Sequence, residues 1–415
     1  MRTTTPTQRR DNAWTFFLSE LKPKGTWLTI FNAISVVLFA TSAVILFIRF
    51  TQGLGSVTNL DQDFAWGIWK GLNVVTGVAF AGGAYVVCFL VYILRLEQYR
   101  PIVRITVLNG FLSYCFYALA LLLELGRPWH IMNPMIGNSF GLTSVLFLIA
   151  WHFTLYIFAQ FIEFSPAIAE WLGLKRLHRI LSAMTIGAVV FGITLSTLHQ
   201  SALGALFLTA ESKIHPLWYS ELIPLQFFIS SMFAGVSMVI IEGTISRRVF
   251  VDRMGPVLKE QADQIVIGLA RIAGGAVVVY LGIQVMTFTH AQNWRHLSGP
   301  WGAWWLFEMI GMVAVPGLLL LFGSETRRTG VIRTGAALAL VGIVVNRLNV
   351  SIIAYKWDAP IHYVPTWMEC VVAITVLVAQ VWALRWIVTR MPVLGYEPIW
   401  AADHEHSEHA AAELA

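Results

Sequence analysis

A chain of 415 residues, of which 57% are hydrophobic and 12% charged, is not an ordinary soluble protein, where charged residues run near a quarter. Its mean hydropathy of +0.68 marks a polytopic membrane protein. The formal charge of +5 does not point to nucleic acid, because most Lys and Arg fall in alternate connections between apolar runs, as the positive-inside rule requires. Cys88, Cys115 and Cys370 each stand alone in or beside such a run, so neither a disulfide framework nor a Cys-ligated iron–sulfur cluster can be built from them.

Residues 1–25 are polar, with Trp14, Phe17, Leu18 and Leu21 spaced for one face of an interfacial helix. The first apolar run lacks a small-residue cleavage site and is too long for a signal peptide, so it is expected to stay in the membrane. Apolar runs near the roughly 20 residues that cross a bilayer fall at 27–48, 66–94, 102–124, 142–165, 179–199, 217–243, 264–288, 301–322, 332–354 and 366–389. The charge bias places both termini in the cytoplasm. The resulting expectation is an all-α protein of about ten transmembrane helices. Residues 26–215 would hold the first helix and a first four-helix bundle, 216–355 a second bundle, 356–390 the last helix, and 391–415 a cytoplasmic tail.

The first outward connection leads into Trp66-Gly-Ile-Trp69-Lys70-Gly-Leu-Asn73. Trp66 and Trp69 suit an aromatic belt, and Gly67 with Gly71 a close helix–helix contact. Lys70 and Asn73 fall three apart on one helix face, where an unpaired Lys costs on the order of 3 kcal/mol unless it snorkels or meets an acid. The third run ends in Glu124-Leu-Gly-Arg127-Pro-Trp-His130. Glu124 and Arg127 are placed either to pair along the helix or to crown an apolar cavity. His152 falls near the middle of the fourth run, yet a haem needs a second axial His at matching depth. His199 is expected much nearer the outer surface and His178 nearer the inner one. Glu163 and Glu242, at inner helix ends, read either as solvated ends or as entrances to a proton path.

Between Thr197 and Trp218, His199, Gln200, Ser201, Glu211, Lys213 and His215 crowd into what reads as a short connection between two spans. Its His199-Gln200-Ser201 end is expected at membrane depth, and its Lys213–Trp218 end at the outer surface, docking a partner and closing a site. Arg271 and Arg347, with Glu308 and Glu369 as candidate counter-ions, are expected to stitch the second bundle together. The tail carries His404, His406 and His409, a metal-binding or disordered composition.

Several stretches together resemble the HybB-like branch of the NrfD/PsrC superfamily of quinone-reactive membrane subunits. They are Gly53-Leu-Gly-Ser-Val57, Trp66-Gly-Ile-Trp69, Tyr99-Arg-Pro-Ile-Val-Arg104, Gly126-Arg127, Ser144-Val-Leu-Phe147, Glu163-Phe-Ser-Pro-Ala167, His199-Gln-Ser with Gly204, His215-Pro-Leu-Trp218, Glu242-Gly243 and Pro365-Thr-Trp367. They keep their order along nearly the whole chain. The resemblance implies two four-helix bundles with flanking helices, no haem and no cluster in this chain, and a menaquinone site near the periplasmic face of the first bundle. It further implies residence in a bacterial inner membrane, with a periplasmic four-cluster ferredoxin-like iron–sulfur subunit docked outside. Electrons would come from a [NiFe] hydrogenase or, in Qrc-type menaquinone reductase complexes, from a molybdopterin-family subunit and a multihaem cytochrome c. The chain departs from the hydrogenase-type pattern at Asn73 and Leu148, where that pattern has Asp and Glu.

Quinone reduction needs an apolar slot, donors for two carbonyl oxygens and a supply of protons. His199 is the expected proton donor. Arg127 and Lys70 would stabilise a developing oxyanion, and Trp66, Trp69, Asn73, Glu124, His130, Gln200 and Ser201 would line or orient. Protons arriving from the cytoplasm would pass His152, Glu163 or Glu242. A secondary transporter, which usually shows inverted repeats and broken midplane helices, and a passive membrane anchor are the rival readings.

Overall fold

The computed structural model describes residues 18–22, 29–137 and 143–395. Ten helices among them are long and apolar enough to cross a membrane: α1 Ile30–Gln52, α2 Trp69–Ile93, α3 Glu97–Glu124, α4 Val145–Trp171, α5 Lys175–Lys213, α6 Ile223–Val249, α7 Pro256–His290, α8 Pro300–Glu325, α9 Thr329–Ile353 and α10 Trp367–Val388. The architecture is all-α, with one isolated bridge between Ile214 and Tyr355 among the described residues. Each apolar run of the sequence corresponds to one helix, because hydrocarbon leaves a spanning backbone no partner except its own carbonyls.

Helices α2 to α5 pack as one group of four and α6 to α9 as another, while α10 lies against α1, α2 and α3. The two groups meet where α6 crosses α2. A Cβ on Gly235 would stand 2.0 Å from the Gly83 backbone nitrogen, so only glycine permits that approach. α2 is also the most deeply enclosed span. It opens with a π-helical stretch, Trp69–Thr76, in which Thr76 Oγ1 donates to the Gly71 carbonyl at 2.8 Å. Further π-helical turns occur in α8 at Phe307–Ala314 and in α9 at Asn349–Ile353. Such turns widen the backbone spiral and recur at functional sites.

Trp14, Phe17 and the histidines of the tail lie outside the described residues. Leu18–Leu21 is helical, and Arg390 ties this segment down through the Glu20 carboxylate at 3.5 Å and the Lys22 carbonyl at 2.7 Å.

The stretch Thr197–Trp218 differs from its expected form. It is not a short connection: the α-helical part of α5 runs unbroken from Lys175 to Leu206 and carries His199, Gln200 and Ser201 in its body, before a 3-10 turn at Phe207–Lys213. Nothing between Thr197 and Leu206 breaks a helix except Gly204, and Gly204 is there for packing. A Cβ on it would stand 2.7 Å from the Ile223 carbonyl at the start of α6.

Candidate functional site

At the end of the first bundle predicted to face outward, α2, α3 and α10 converge on Gly67. Its N–H donates to Glu124 Oε1 at 3.1 Å, and Lys70 Nζ lies 3.6 Å from the same oxygen. Lys70 also donates to the Ala65 carbonyl at 3.0 Å, and its ammonium lies 5.8 Å from the centre of the Trp66 ring. From the other side, Tyr363 accepts the Ile68 N–H at 3.2 Å and donates to Glu369. Glu369 is fixed by a capping box with Thr366. Two buried carboxylates, Glu124 and Glu369, therefore bracket one glycine, and Glu124 Oε2 has no hydrogen-bond partner among the described residues.

Glu124 thus pairs with Lys70 rather than with Arg127, its expected helix neighbour. Arg127 and His130 are exposed beyond the end of α3, where His130 Nδ1 meets the Asn133 amide at 2.9 Å. No hydrogen bond or ion pair among the described residues joins either to the Glu124 cluster. Trp69 is wholly buried, but in the apolar cluster shared with α1 and α10, and its indole donates to the Glu369 carbonyl at 2.6 Å. Trp66, by contrast, packs on Phe207 at the end of α5, with ring centroids 5.5 Å apart. Asn73 is 0% exposed, and neither atom of its amide has a hydrogen-bond partner among the described residues.

Deeper in the bundle the His199 ring is 1% exposed. It lies between Phe153 at 5.4 Å and Tyr114 at 5.7 Å. The Ile149 carbonyl faces it, but neither ring nitrogen reaches hydrogen-bonding geometry with any group among the described residues. Gln200, its neighbour, spans to α2 and donates to the Val78 carbonyl at 2.7 Å. Ser201 is half-buried. His152, expected at a different depth from His199, is its electrostatic neighbour across the α4–α5 contact.

Below His199 the sequence reading missed four side chains. Ser196, Tyr114 and Gln160 are buried; the Ser196 hydroxyl lies beside that of Tyr114, and neither amide atom of Gln160 has a hydrogen-bond partner among the described residues. Tyr156, also buried, meets the Tyr114 ring edge-on at 4.7 Å. The signal was present: His152, Tyr156, Gln160 and Glu163 recur at four, four and three residues, one polar stripe along one face of α4. The stripe ends at Glu163, where a Cβ on Gly192 would stand 2.7 Å from Oε1 and 3.5 Å from the Tyr156 ring. Glu163 otherwise contacts the Cys88 thiol at 3.8 Å. It lines a cavity of about 350 Å³ with Tyr92, Arg100, Arg104, His178 and Ser182.

Glu242 occupies a second buried position. It accepts from Asn109 Nδ2 at 2.8 Å, and Asn109 and Ser113 both accept from Gln380 of α10 at 3.3 and 2.8 Å. Neither Glu163 nor Glu242 is a solvated helix end.

In the second half Arg347 is buried as expected, but Arg271 is exposed and pairs with Glu325 at 3.6 Å, outside any bundle core. Glu369, proposed from sequence as a second-bundle counter-ion, belongs to the Glu124 cluster. His215, Leu217 and Trp218 are not a surface patch. His215 lies against Trp301 at 5.3 Å and Trp357 at 4.8 Å, its N–H donates to the Ala354 carbonyl at 2.9 Å, and Trp218 donates to Glu308 at 2.6 Å.

A helical protein with a polar stripe through one bundle and a carboxylate–ammonium pair at its mouth invites comparison with known membrane subunits. Residues 56–356 match the family described as polysulphide reductase, NrfD. The chain belongs to the NrfD family. It is 40% identical over 375 residues to a protein of Nitratidesulfovibrio vulgaris, covering 90% of this chain and 96% of that one. It is 28% identical over 365 residues to the probable Ni/Fe-hydrogenase 2 b-type cytochrome subunit of Escherichia coli, covering 88% and 92%. It is 26% identical over 358 residues to the integral membrane subunit of a menaquinone reductase of Nitratidesulfovibrio vulgaris, covering 77% and 80%. The motif resemblance to HybB-like and Qrc-type NrfD proteins agrees with these two relatives, one named as a hydrogenase subunit and the other as the integral membrane subunit of a menaquinone reductase. This NrfD-family chain is a multi-span integral membrane protein.

Proposed function

We propose that this NrfD-family protein is the quinone-reactive subunit of a respiratory oxidoreductase complex in a bacterial inner membrane. Menaquinone is its substrate, taken up near the periplasmic face of the first bundle. The observation that carries the reading is the set of buried polar atoms without hydrogen-bond partners among the described residues: both nitrogens of His199 and both amide atoms of Asn73 and of Gln160. A buried group left unsatisfied costs about 1–3 kcal/mol, so a bundle that keeps several holds them for a ligand or for protons. The electrons, two per quinone, come from a docked periplasmic iron–sulfur subunit, itself fed by a [NiFe] hydrogenase or by a molybdopterin-family protein with a multihaem cytochrome c.

His199 donates to one substrate oxygen, while Lys70 offers the nearest positive charge, oriented by Glu124. Asn73 can donate from one amide atom and accept with the other. Two protons must accompany the electrons. The stripe of Glu163, Gln160, Tyr156 and His152 spans on the order of 16 Å along α4 at about 1.5 Å per residue, from the Glu163 cavity to the neighbourhood of His199. Glu242 with Asn109 and Gln380 offers a second inner entrance. Protons taken this way to an outward-facing quinone move charge through the membrane field, worth about 2.3 kcal/mol per charge per 100 mV.

The whole complex, reconstituted in liposomes with a potential-sensitive dye, tests the coupling. Menaquinol formation with a dye response is expected, and a silent dye during steady reduction sinks the proton route. His199→Ala tests the subunit itself. A passive anchor keeps quinone reduction in that variant, a transporter has none to lose, and the reading proposed here requires its loss.

A further inference from the structure

Beyond α10 the chain turns back toward the bundles: Met391–Gly395 lies at the end of the molecule opposite the Glu124 cluster. Val393 is 0% exposed and Leu394 4% exposed, both within the main apolar core. The segment forms neither helix nor strand. Two hydrogen bonds tie it to other elements instead. The Gly255 N–H, at the start of α7, donates to the Leu394 carbonyl at 3.1 Å, and Arg104 Nη1 of α3 donates to the Pro392 carbonyl at 2.9 Å.

These five residues border two separate spaces, each holding one buried carboxyl group. Leu394 lines a cavity of about 50 Å³ with Glu242, Ser246, Met254 and Leu258. Gly395 lines the cavity of about 350 Å³ that holds Glu163. Arg104 belongs to the wall of that larger space, and the nitrogen that holds Pro392 also lies 3.0 Å from Glu170 Oε2 on α4. One guanidinium therefore joins the segment to the wall of the Glu163 cavity. The two spaces differ in their closure. Ser182 and Ile186, on the wall beside Glu163, are exposed. Around Glu242, by contrast, Ser246, Met254, Leu258 and Leu394 are all buried. The remaining rim there is Asp263, with Arg247 at 2.8 Å and Arg333 at 3.7 Å.

We propose that Met391–Gly395 is a strap that seals the Glu242 space against water while leaving the Glu163 cavity open. A chain of waters needs polar partners at each step, and Val393 and Leu394 offer hydrocarbon where such a chain would enter. The strap is held by two buried apolar side chains and two hydrogen bonds rather than by a ladder of secondary structure, so it can lift without unfolding a helix. Its position thus decides which of the two carboxyl groups is reached from this end of the molecule. The inference concerns access alone, and it stands or falls whether or not either group carries protons for quinone reduction.

The test is thiol accessibility in the intact purified complex, with a charged maleimide as probe and mass mapping of the labelled peptides as readout. Ser246→Cys puts a thiol of nearly the same shape in the Glu242 space, and Ser182→Cys puts one in the Glu163 cavity. With the strap in place, Ser182→Cys is expected to react at least tenfold faster than Ser246→Cys. Adding Leu394→Ser, or deleting the chain from Met391 onward, should raise the Ser246→Cys rate at least tenfold and leave Ser182→Cys little changed. Native Cys88, 2% exposed, guards the deletion: its labelling there marks unfolding, and Leu394→Ser then decides alone. Asp263→Asn, which breaks the ion pairs of the rim, should leave Ser246→Cys slow. Equal rates at the two positions with the strap intact, a Ser246→Cys rate that Leu394→Ser leaves unchanged, or opening by Asp263→Asn in its place each overturns the proposal. Quinone reduction by the same variants is measured separately and bears on the proposed function, not on the strap.

Discussion

Lys70 Nζ stands 3.6 Å from Glu124 Oε1, with the ammonium 20% exposed and the carboxylate 1% exposed. The pair is asymmetric: the acid has left water almost entirely and the base only in part. Removing the base strands a buried charge, whereas removing both charges does not. Lys70→Met is therefore expected to cost about 3 kcal/mol, and Glu124→Gln less, because its amide oxygen can still accept the Gly67 N–H. The double variant should regain most of the loss. Thermal unfolding of the four proteins in one detergent checks this, and strictly additive losses would contradict it.

Asn73 and His199 make the opposite prediction for stability. Each is buried with polar atoms that no group among the described residues satisfies, so an apolar residue of similar size removes a penalty. Asn73→Leu is expected to raise stability by about 1 kcal/mol and to lower quinone reduction at least tenfold. A variant that is both more stable and fully active would remove Asn73 from the site.

Much of this is legible in the sequence. Hydropathy located the ten helices because length and apolarity are the same requirement in a bilayer, and the family was readable from short motifs in order. Partners were not legible. Glu124 has a cation three residues ahead at Arg127, yet it pairs with Lys70 of another helix, because α3 ends there and the chain carries Arg127 outward. Glu369 looked like a second-bundle residue by sequence position, but α10 returns to pack on α1, α2 and α3. The helical extension of α5 through His199 was hidden because polar residues near an expected membrane surface imitate a loop. The α4 stripe was visible as spacing and became meaningful only once Tyr114 and Ser196 met it from α3 and α5.

Gly192 gives a test of the stripe that leaves every polar side chain in place. A methyl group there would stand 2.7 Å from Glu163 Oε1, and the carboxylate, at the end of a flexible chain, can move aside with little loss of stability. Gly192→Ala should therefore fold normally, displace Glu163 from Tyr156, and slow proton-coupled turnover several-fold. Turnover at the wild-type rate, measured with the same electron donor, would show that protons enter elsewhere, and Glu242→Gln would then be the variant to slow.

His215 lies in the connection between α5 and α6, 4% exposed, with Nδ1 accepting the Leu217 N–H at 3.2 Å. Burial first, and then the neighbouring His296, lower its pKa from the ordinary imidazole value of 6.5 to about 4. The unfolded chain therefore takes up this proton at a higher pH than the folded one, so stability is fully present above about pH 6.5 and is lost progressively as the pH falls toward 4. Replacing His215 by Asn removes that dependence but also loses ring packing against Trp301 and Trp357. The variant should be the less stable protein at pH 7.5, and its melting temperature should converge on that of the wild type as the pH approaches 4. Carboxylates that titrate over the same range do so in both proteins and cancel in the difference. Parallel melting curves across that window would mean that His215 takes up its proton without penalty.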